Sequence, residues 1–296
     1  METIIIGLSI ASILFLVALG LAIIYGAMKI INLAHGEMVM IGAYVTVLAT
    51  KHLGANLYLC IPIAFIVTAA IGYGLEVIIV RRLYGRLLDT LLATWGVSLI
   101  LQQLIRIHLG LGLFDIHIDG LGSDLQNVQV PELLRQTLTL GDANIPVYRA
   151  FVFIVAILLG CITWWLVYRT HFGAQLRAVS VARGIASCCG INEKRINSLA
   201  FAYGSGLAGI AGVMVSGFKT VSPDMGTPYV IDAFLVVVAG GVGHLFGTVA
   251  SAGILGELQS YVSSILNDVY GRTAVFATVI AVLLWKPQGL FVIRSR

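Results

Sequence analysis

Two groups of polar residues interrupt an otherwise apolar sequence. The first is Asn32, His35 and Glu37: a carboxamide, an imidazole and a carboxylate within six residues, with Gly36 between the last two. In water such a trio would read as acid–base machinery, but no nucleophile or metal-ligand pattern accompanies it, so an enzymatic role is not expected. Beside apolar segments, ionisable groups are costly and face other helices or a water-filled path. Gly36 marks a helix break, and broken helices line substrate paths in many transporters. The residues alone leave that role level with a structural kink in which His35 and Glu37 satisfy backbone groups. The second group is Thr94, Ser98 and Gln102, spaced by four and therefore on one helical face. This neutral stripe can bond helix to helix or line a path for an uncharged polar solute.

The elements that must carry these residues follow from composition. Of 296 residues, 59% are hydrophobic and only 11% charged, with a mean hydropathy of +0.98. Soluble proteins carry roughly 25% charged residues, so this chain cannot cover a water-facing exterior. A spanning helix takes about 20 apolar residues, which leaves no length for a sizeable soluble catalytic domain. Apolar stretches fall near 4–25, 37–51, 57–80, 90–112, 148–168, 198–217, 230–247, 249–267 and 273–290. The expected fold class is all-α: one polytopic helical bundle over 1–296, with about nine membrane segments including short or broken helices.

Loop charges set the threading. Lys29 follows the first apolar run rather than preceding it, so that run reads as a retained first span and not a cleavable signal. Arg81, Arg82 and Arg86 share one loop; Arg169, Arg177, Arg183, Lys194 and Arg195 share another; Lys286, Arg294 and Arg296 lie at the tail. The loop 114–146 is acidic, with Asp115, Asp119, Asp124, Glu132 and Asp142 against Arg135. Alternating spans then place every basic loop in the cytoplasm, this loop outside, the N-terminus outside and the C-terminus inside. The net charge of +4 is dispersed, which does not describe a nucleic-acid surface. Cys60, Cys161, Cys188 and Cys189 form no CxxC and read as small apolar residues rather than metal ligands. Gly204, Ala208, Gly212 and Ser216 recur every four residues, the spacing of tight helix packing. The stretch Gly240-Gly241-Val242-Gly243 misses the dinucleotide spacing and reads as a helix break; no GK dipeptide occurs, which excludes a Walker A loop.

Between two spans, Phe172, Leu176, Val179, Ala182 and Ala186 give a short helix an apolar face, with Gly190 placed as its C-terminal cap. Such a helix can lie on the membrane interface or enter a groove of a partner.

The same segment resembles the coupling region of the branched-chain amino acid permease family of ABC importers. That family's TxxGxxxRA stretch and following GI pair are matched by Thr170, Gly173, Arg177, Ala178, Gly190 and Ile191. The string NLAHGE…GAY from Asn32 to Tyr44 is similar to its N-terminal signature, and with the Gly240–Gly243 stretch the likeness covers all but the outer loop. The resemblance implies an ATPase-docking role for 170–192, a paralogous permease as heterodimer partner, two ATPase subunits that bind ATP and Mg, and an extracytoplasmic binding protein, in a bacterial inner membrane. No cofactor is implied for this chain. Leu83–Gln103 and Tyr229–Gly243 resemble the urea branch, which usually has proline where Leu87 stands and asparagine where His244 stands. Urea is small and neutral, and Asn32, Thr94, Ser98 and Gln102 offer donors and acceptors without fixed charge. A zwitterionic amino acid would ask for a compensating charge. The expected function is therefore urea import, with amino acid or short amide import, or passive passage of neutral solutes, as alternatives.

Overall fold

The computed structural model describes residues 2–106, 120, 122, 124–140, 143–241 and 243–291. Asp115, Asp119 and Asp142 of the outer loop, Val242, and the tail cations Arg294 and Arg296 lie outside the described residues. Helices α1 (Glu2–Met28), α2 (His35–Leu53), α3 (Leu57–Ile78) and α4 (Leu87–Arg106) come first. A short α5 (Glu132–Arg135) and an antiparallel hairpin, β1 (Thr137–Leu140) with β2 (Ala143–Pro146), lead into α6 (Val147–Arg169). Two short helices follow, α7 (His171–Val181) and α8 (Arg183–Cys188), then α9 (Glu193–Ser216), α10 (Gly226–Gly240), α11 (Leu245–Ile265) and α12 (Asp268–Trp285). The all-α class expected from composition is the class observed.

The bundle is assembled around α9, which is buried along most of its length from Ile196 to Ser216. Its small residues let backbone meet backbone. A β-carbon on Gly212 would lie 2.0 Å from the Val39 carbonyl oxygen, and one on Gly42 would lie 2.1 Å from that of Gly209. The four-residue stripe is thus a packing device, and it lies against α1 at Gly20 as well as against α2. Helix α11 runs antiparallel to α1: Ser260 donates to the Thr3 carbonyl at 2.7 Å, Gly256 touches Ala11, and Gly243 faces Gly26.

The span count differs from the sequence reading. Among the described residues, six helices are long and apolar enough to cross a membrane, or seven if the bent pair α10–α11, at 117°, is one span. The stretches 37–51, 230–247 and 249–267 account for the difference. Helix α2 carries His35, Glu37, Lys51 and His52, and α11 is rich in Ser and Gly, which lowers the apolarity of both. Helix α2 is sheltered by the rest of the bundle, which removes the need for apolarity, whereas α11 buries its Ser and Gly face and turns Phe246, Ile254 and Tyr261 outward. The break between α10 and α11 falls at the glycine stretch, where Gly241 and Gly243 adopt φ of 96° and 83°, values open to glycine.

Helix α4 is polar inside and apolar outside. Its buried residues are Thr90, Thr94, Val97, Ser98 and Gln102, whereas Leu88, Leu92, Trp95 and Ile100 point outward. In lipid that arrangement is the favourable one, since only buried polar groups can find partners.

Candidate functional site

The first helix ends on Lys29, whose φ of 57° turns the chain back into the bundle. Residues 30–34 re-enter it, and α2 begins beside the middle of α1. Asn32 fixes this loop by accepting from the Ala34 N–H through Oδ1 at 3.1 Å. The His35 ring nitrogen Nε2 lies 3.0 Å from the Val17 carbonyl and donates to it, holding the helix start halfway along α1. Thr94 Oγ1 accepts from the Leu33 N–H at 3.2 Å. Asn32, His35 and Thr94 are thus engaged with backbone, the arrangement in which polar side chains steady a broken helix.

Glu37 is the centre of what remains. Its Oε1 accepts from Ser98 Oγ at 2.8 Å and from Gln102 Nε2 at 2.8 Å. Gln102 also reaches Thr227 Oγ1 at 3.1 Å, which brings in the first turn of α10. The two polar groups separated by some sixty residues of sequence therefore form one site. Helices α2 and α10 touch at their N-terminal ends: a β-carbon on Gly36 would lie 2.4 Å from the Gly226 carbonyl oxygen, and one on Gly226 would lie 2.5 Å from that of Gly36. Only glycine permits this approach. Both helix N-termini therefore lie beside the Glu37 carboxylate, where a β-carbon on Gly226 would come within 3.0 Å of Oε2, and a helix N-terminus favours negative charge. Its Oε2 has no hydrogen-bond partner among the described residues, nor has His35 Nδ1. A buried carboxylate oxygen left without a donor is expensive, and it is a place where an incoming donor would be welcome.

A second buried acid escaped the sequence reading. Glu76, inside the stretch 57–80, pairs with Arg81 at 3.0 Å and accepts from Tyr84 and Ser198. A lone carboxylate in an apolar run, with an arginine five residues on, was the available signal. Burial, reinforced by Glu76, pushes the Tyr84 phenol up, which keeps it a donor. Arg183 lies over the Tyr84 ring at 5.4 Å and donates to the Met28 carbonyl at 2.7 Å, so this cluster ties α8 to the basic ends of α1, α3 and α9. Replacing Glu76 with leucine is expected to remove about 1–3 kcal/mol, by taking the carboxylate from Arg81 and Tyr84, and to lower the thermal midpoint of the purified protein.

The segment 170–192 forms two helices, where a single one was expected, because Ala182 is extended at φ −149° and ψ 87°. Thr170 caps α7 by accepting from the Gly173 N–H at 3.2 Å, and Gly173 is packed on the end of α6, where a β-carbon would lie 2.1 Å from the Val167 carbonyl oxygen. Gly190, at φ 81°, terminates α8: its N–H bonds the Ser187 carbonyl, and that of Ile191 bonds the Ala186 carbonyl. Leu176, Val179 and Ala186 face the bundle, with Phe172, Ala178 and Ala182 half-buried. Arg177 folds back to the Val167 carbonyl and over the Tyr168 ring. The expected apolar face is therefore spent on this chain's own bundle. What protrudes is Val181, 84% exposed, and Ile185, 69% exposed.

A bundle of helices long and apolar enough to cross a membrane, with a carboxylate and its donors held among them, is the build of a polytopic membrane protein. The chain belongs to the family described as branched-chain amino acid transport system / permease component, whose model matches residues 3–284. It is 28% identical to the high-affinity branched-chain amino acid transport system permease protein BraD of Pseudomonas aeruginosa, over 96% of this chain and 93% of that one. It is likewise 28% identical to LivH of Escherichia coli, over 96% and 92% of the two chains. To LivM of Escherichia coli it is 26% identical, over 93% of this chain and 67% of that one. No solved structure matches the chain. These relatives are transport permeases and not enzymes, and their names specify branched-chain amino acids where the sequence reading expected urea.

Proposed function

We propose that this chain is one permease subunit of an ATP-driven importer of branched-chain amino acids, with Glu37 as the fixed charge of its path. The observation that carries this reading is the Glu37 carboxylate between two helix N-termini, with Oε2 unpartnered. Beside the likeness of Leu83–Gln103 and Tyr229–Gly243 to the urea branch, urea has the neutrality of the Thr94–Ser98–Gln102 stripe in its favour, and that second support weakens because Ser98 and Gln102 converge on a carboxylate. An ammonium group is the natural counterpart of that charge. The named relatives support the amino acid over urea.

In this reading the N-terminus is outside, the C-terminus is cytoplasmic, and the membrane is the bacterial inner membrane. A second, paralogous permease completes the path, as the pairing of LivH-like and LivM-like relatives supports. Two ATPase subunits hold ATP and Mg, and an extracytoplasmic binding protein delivers substrate. The docking surface comprises Thr170, Gly173, Arg177, Ala178, Gly190 and Ile191 as its frame, with Val181 and Ile185 as its protruding contacts. Rocking of α7–α8 reaches the bundle through Arg183 and Tyr84.

The deciding experiment is ATP hydrolysis by the co-expressed complex with its binding protein, leucine tested against urea. Stimulation by leucine and not by urea is the expected result; stimulation by urea alone would overturn the substrate. Two variants refine it. Ile185→Asp lies on the surface, where changes stay within about 0.5 kcal/mol of neutral, and is expected to abolish leucine-stimulated hydrolysis without loss of folded protein. Gln102→Leu is expected to reduce leucine uptake more than it reduces assembly with the second permease; an equal loss of both would make Gln102 a packing residue only.

A further inference from the structure

At the end of the bundle opposite the basic loops, a cavity of about 540 Å³ opens between α1, α6, α10, α11, α12 and the segment that follows α9. That volume lies in the range of small-molecule sites. One wall is apolar, formed by Ile10, Ile13 and Leu14 of α1. The others carry charge. The half-buried Arg149 stacks over the Phe218 ring at 5.7 Å, and Lys219 lies over the Tyr229 ring at 5.7 Å. Neither cation makes a close ion pair among the described residues, although Lys219 acts on Asp232 across the cavity and Asp268 also lines it. Asp232, from α10, is held by Arg272 through one oxygen only, at 3.3 Å. Cations outside any close ion pair, a carboxylate bonded through one oxygen and a branched aliphatic wall inside one cavity are the complement of a zwitterion with an apolar side chain. A smaller cavity of about 390 Å³ shares Lys219, Tyr229 and Arg272, and extends to Met225 and Pro228. Thr227, between those two residues in sequence, is the Gln102 partner at the Glu37 site. The two cavities thus lead from the outer mouth toward the N-terminal end of α10.

We infer that this outer cavity is the receiving site for a branched-chain α-amino acid before it reaches Glu37. Arg149 and Lys219 take the carboxylate, Asp232 takes the ammonium group, and Ile10, Ile13 and Leu14 take the side chain. The inference rests on the amino acid reading proposed above.

The test is equilibrium binding of radiolabelled leucine to the purified permease–ATPase complex without the binding protein. Competitors are leucinamide, which lacks the carboxylate, and 4-methylpentanoate, which lacks the ammonium group. The intact complex is expected to bind leucine saturably and both competitors poorly. Arg149→Gln and Lys219→Gln should each weaken leucine binding roughly ten- to hundred-fold, as befits a lost charge-assisted bond, and erase the preference over leucinamide. Asp232→Asn should erase the preference over 4-methylpentanoate. Arg135→Gln, an outer cation away from the cavity, controls for general electrostatics. Lys219 is exposed, so its variant keeps the test valid if Arg149→Gln fails to fold. Unchanged affinity and preference in the Lys219 and Asp232 variants would overturn the site. So would a complex that imports leucine with its binding protein yet shows no direct binding. A complex that imports no amino acid at all would instead overturn the substrate reading beneath it.

Discussion

Glu37→Gln is expected to leave the complex assembled and to lower leucine uptake by roughly ten- to hundred-fold, the equivalent of the about 1.5–3 kcal/mol carried by a hydrogen bond to a charged group. The change is nearly isosteric. The amide oxygen can still accept from Ser98 and Gln102, so the join between α2 and α4 survives. What disappears is the negative charge beside Gly36 and Gly226, together with the open lone pairs on Oε2. Glu37→Asp provides the complementary case: it keeps the charge and draws it one methylene back from Ser98 and Gln102, so an intermediate loss is expected. Uptake into proteoliposomes containing the full complex separates the two. If the glutamine variant imports leucine at the unmodified rate, Glu37 is a helix cap and the charge has no part in transport.

Gly212→Val is expected to have the largest effect on the fold. Its β-carbon would have to occupy space 2.0 Å from the Val39 carbonyl oxygen and 2.9 Å from the Ala43 nitrogen. Those are backbone atoms of α2, which cannot move aside as a flexible side chain would. Overpacking of this kind costs about 1–3 kcal/mol even where side chains can rearrange, and here it would displace the helix that carries Glu37. Monodisperse yield and thermal midpoint should both fall, with transport lost alongside them. Gly74→Val is the control: a β-carbon there meets nothing within 4 Å, and the substitution should be close to neutral. Equal yields for the two variants would mean that α9 does not hold α2 by close approach.

Much of this molecule is legible without coordinates. Apolar runs set by the thickness of the bilayer gave the all-α class and the approximate bounds of α1, α3, α4, α6 and α12. A four-residue spacing of small residues marked α9 as a packing helix, and the glycine stretch at 240–243 marked a break. The cap at Gly190 followed from its place after an apolar periodicity. These are local consequences of residue type. Where polarity in a helix is offset by neighbours far away in sequence, the sequence misleads. Helix α2 reads as a weak span and begins halfway along α1, and the apolar face of α7–α8, which reads as free to lie on the membrane interface or enter a partner's groove, is buried on this chain's own helices.

The polar side chains show the same division. Residue type alone requires that Glu37 be sheltered, since a carboxylate in an apolar setting needs donors. It also determined that Thr94, Ser98 and Gln102 share a face. It did not determine that each is the answer to the other. Hydrogen-bond partners sixty-one and sixty-five residues apart are a property of how α4 lies against α2, and so is the joining of Gly36 to Gly226. That contact sets the neutral stripe beside a carboxylate. Composition can specify that a charge needs a partner; only the packing of helices chooses which one it finds.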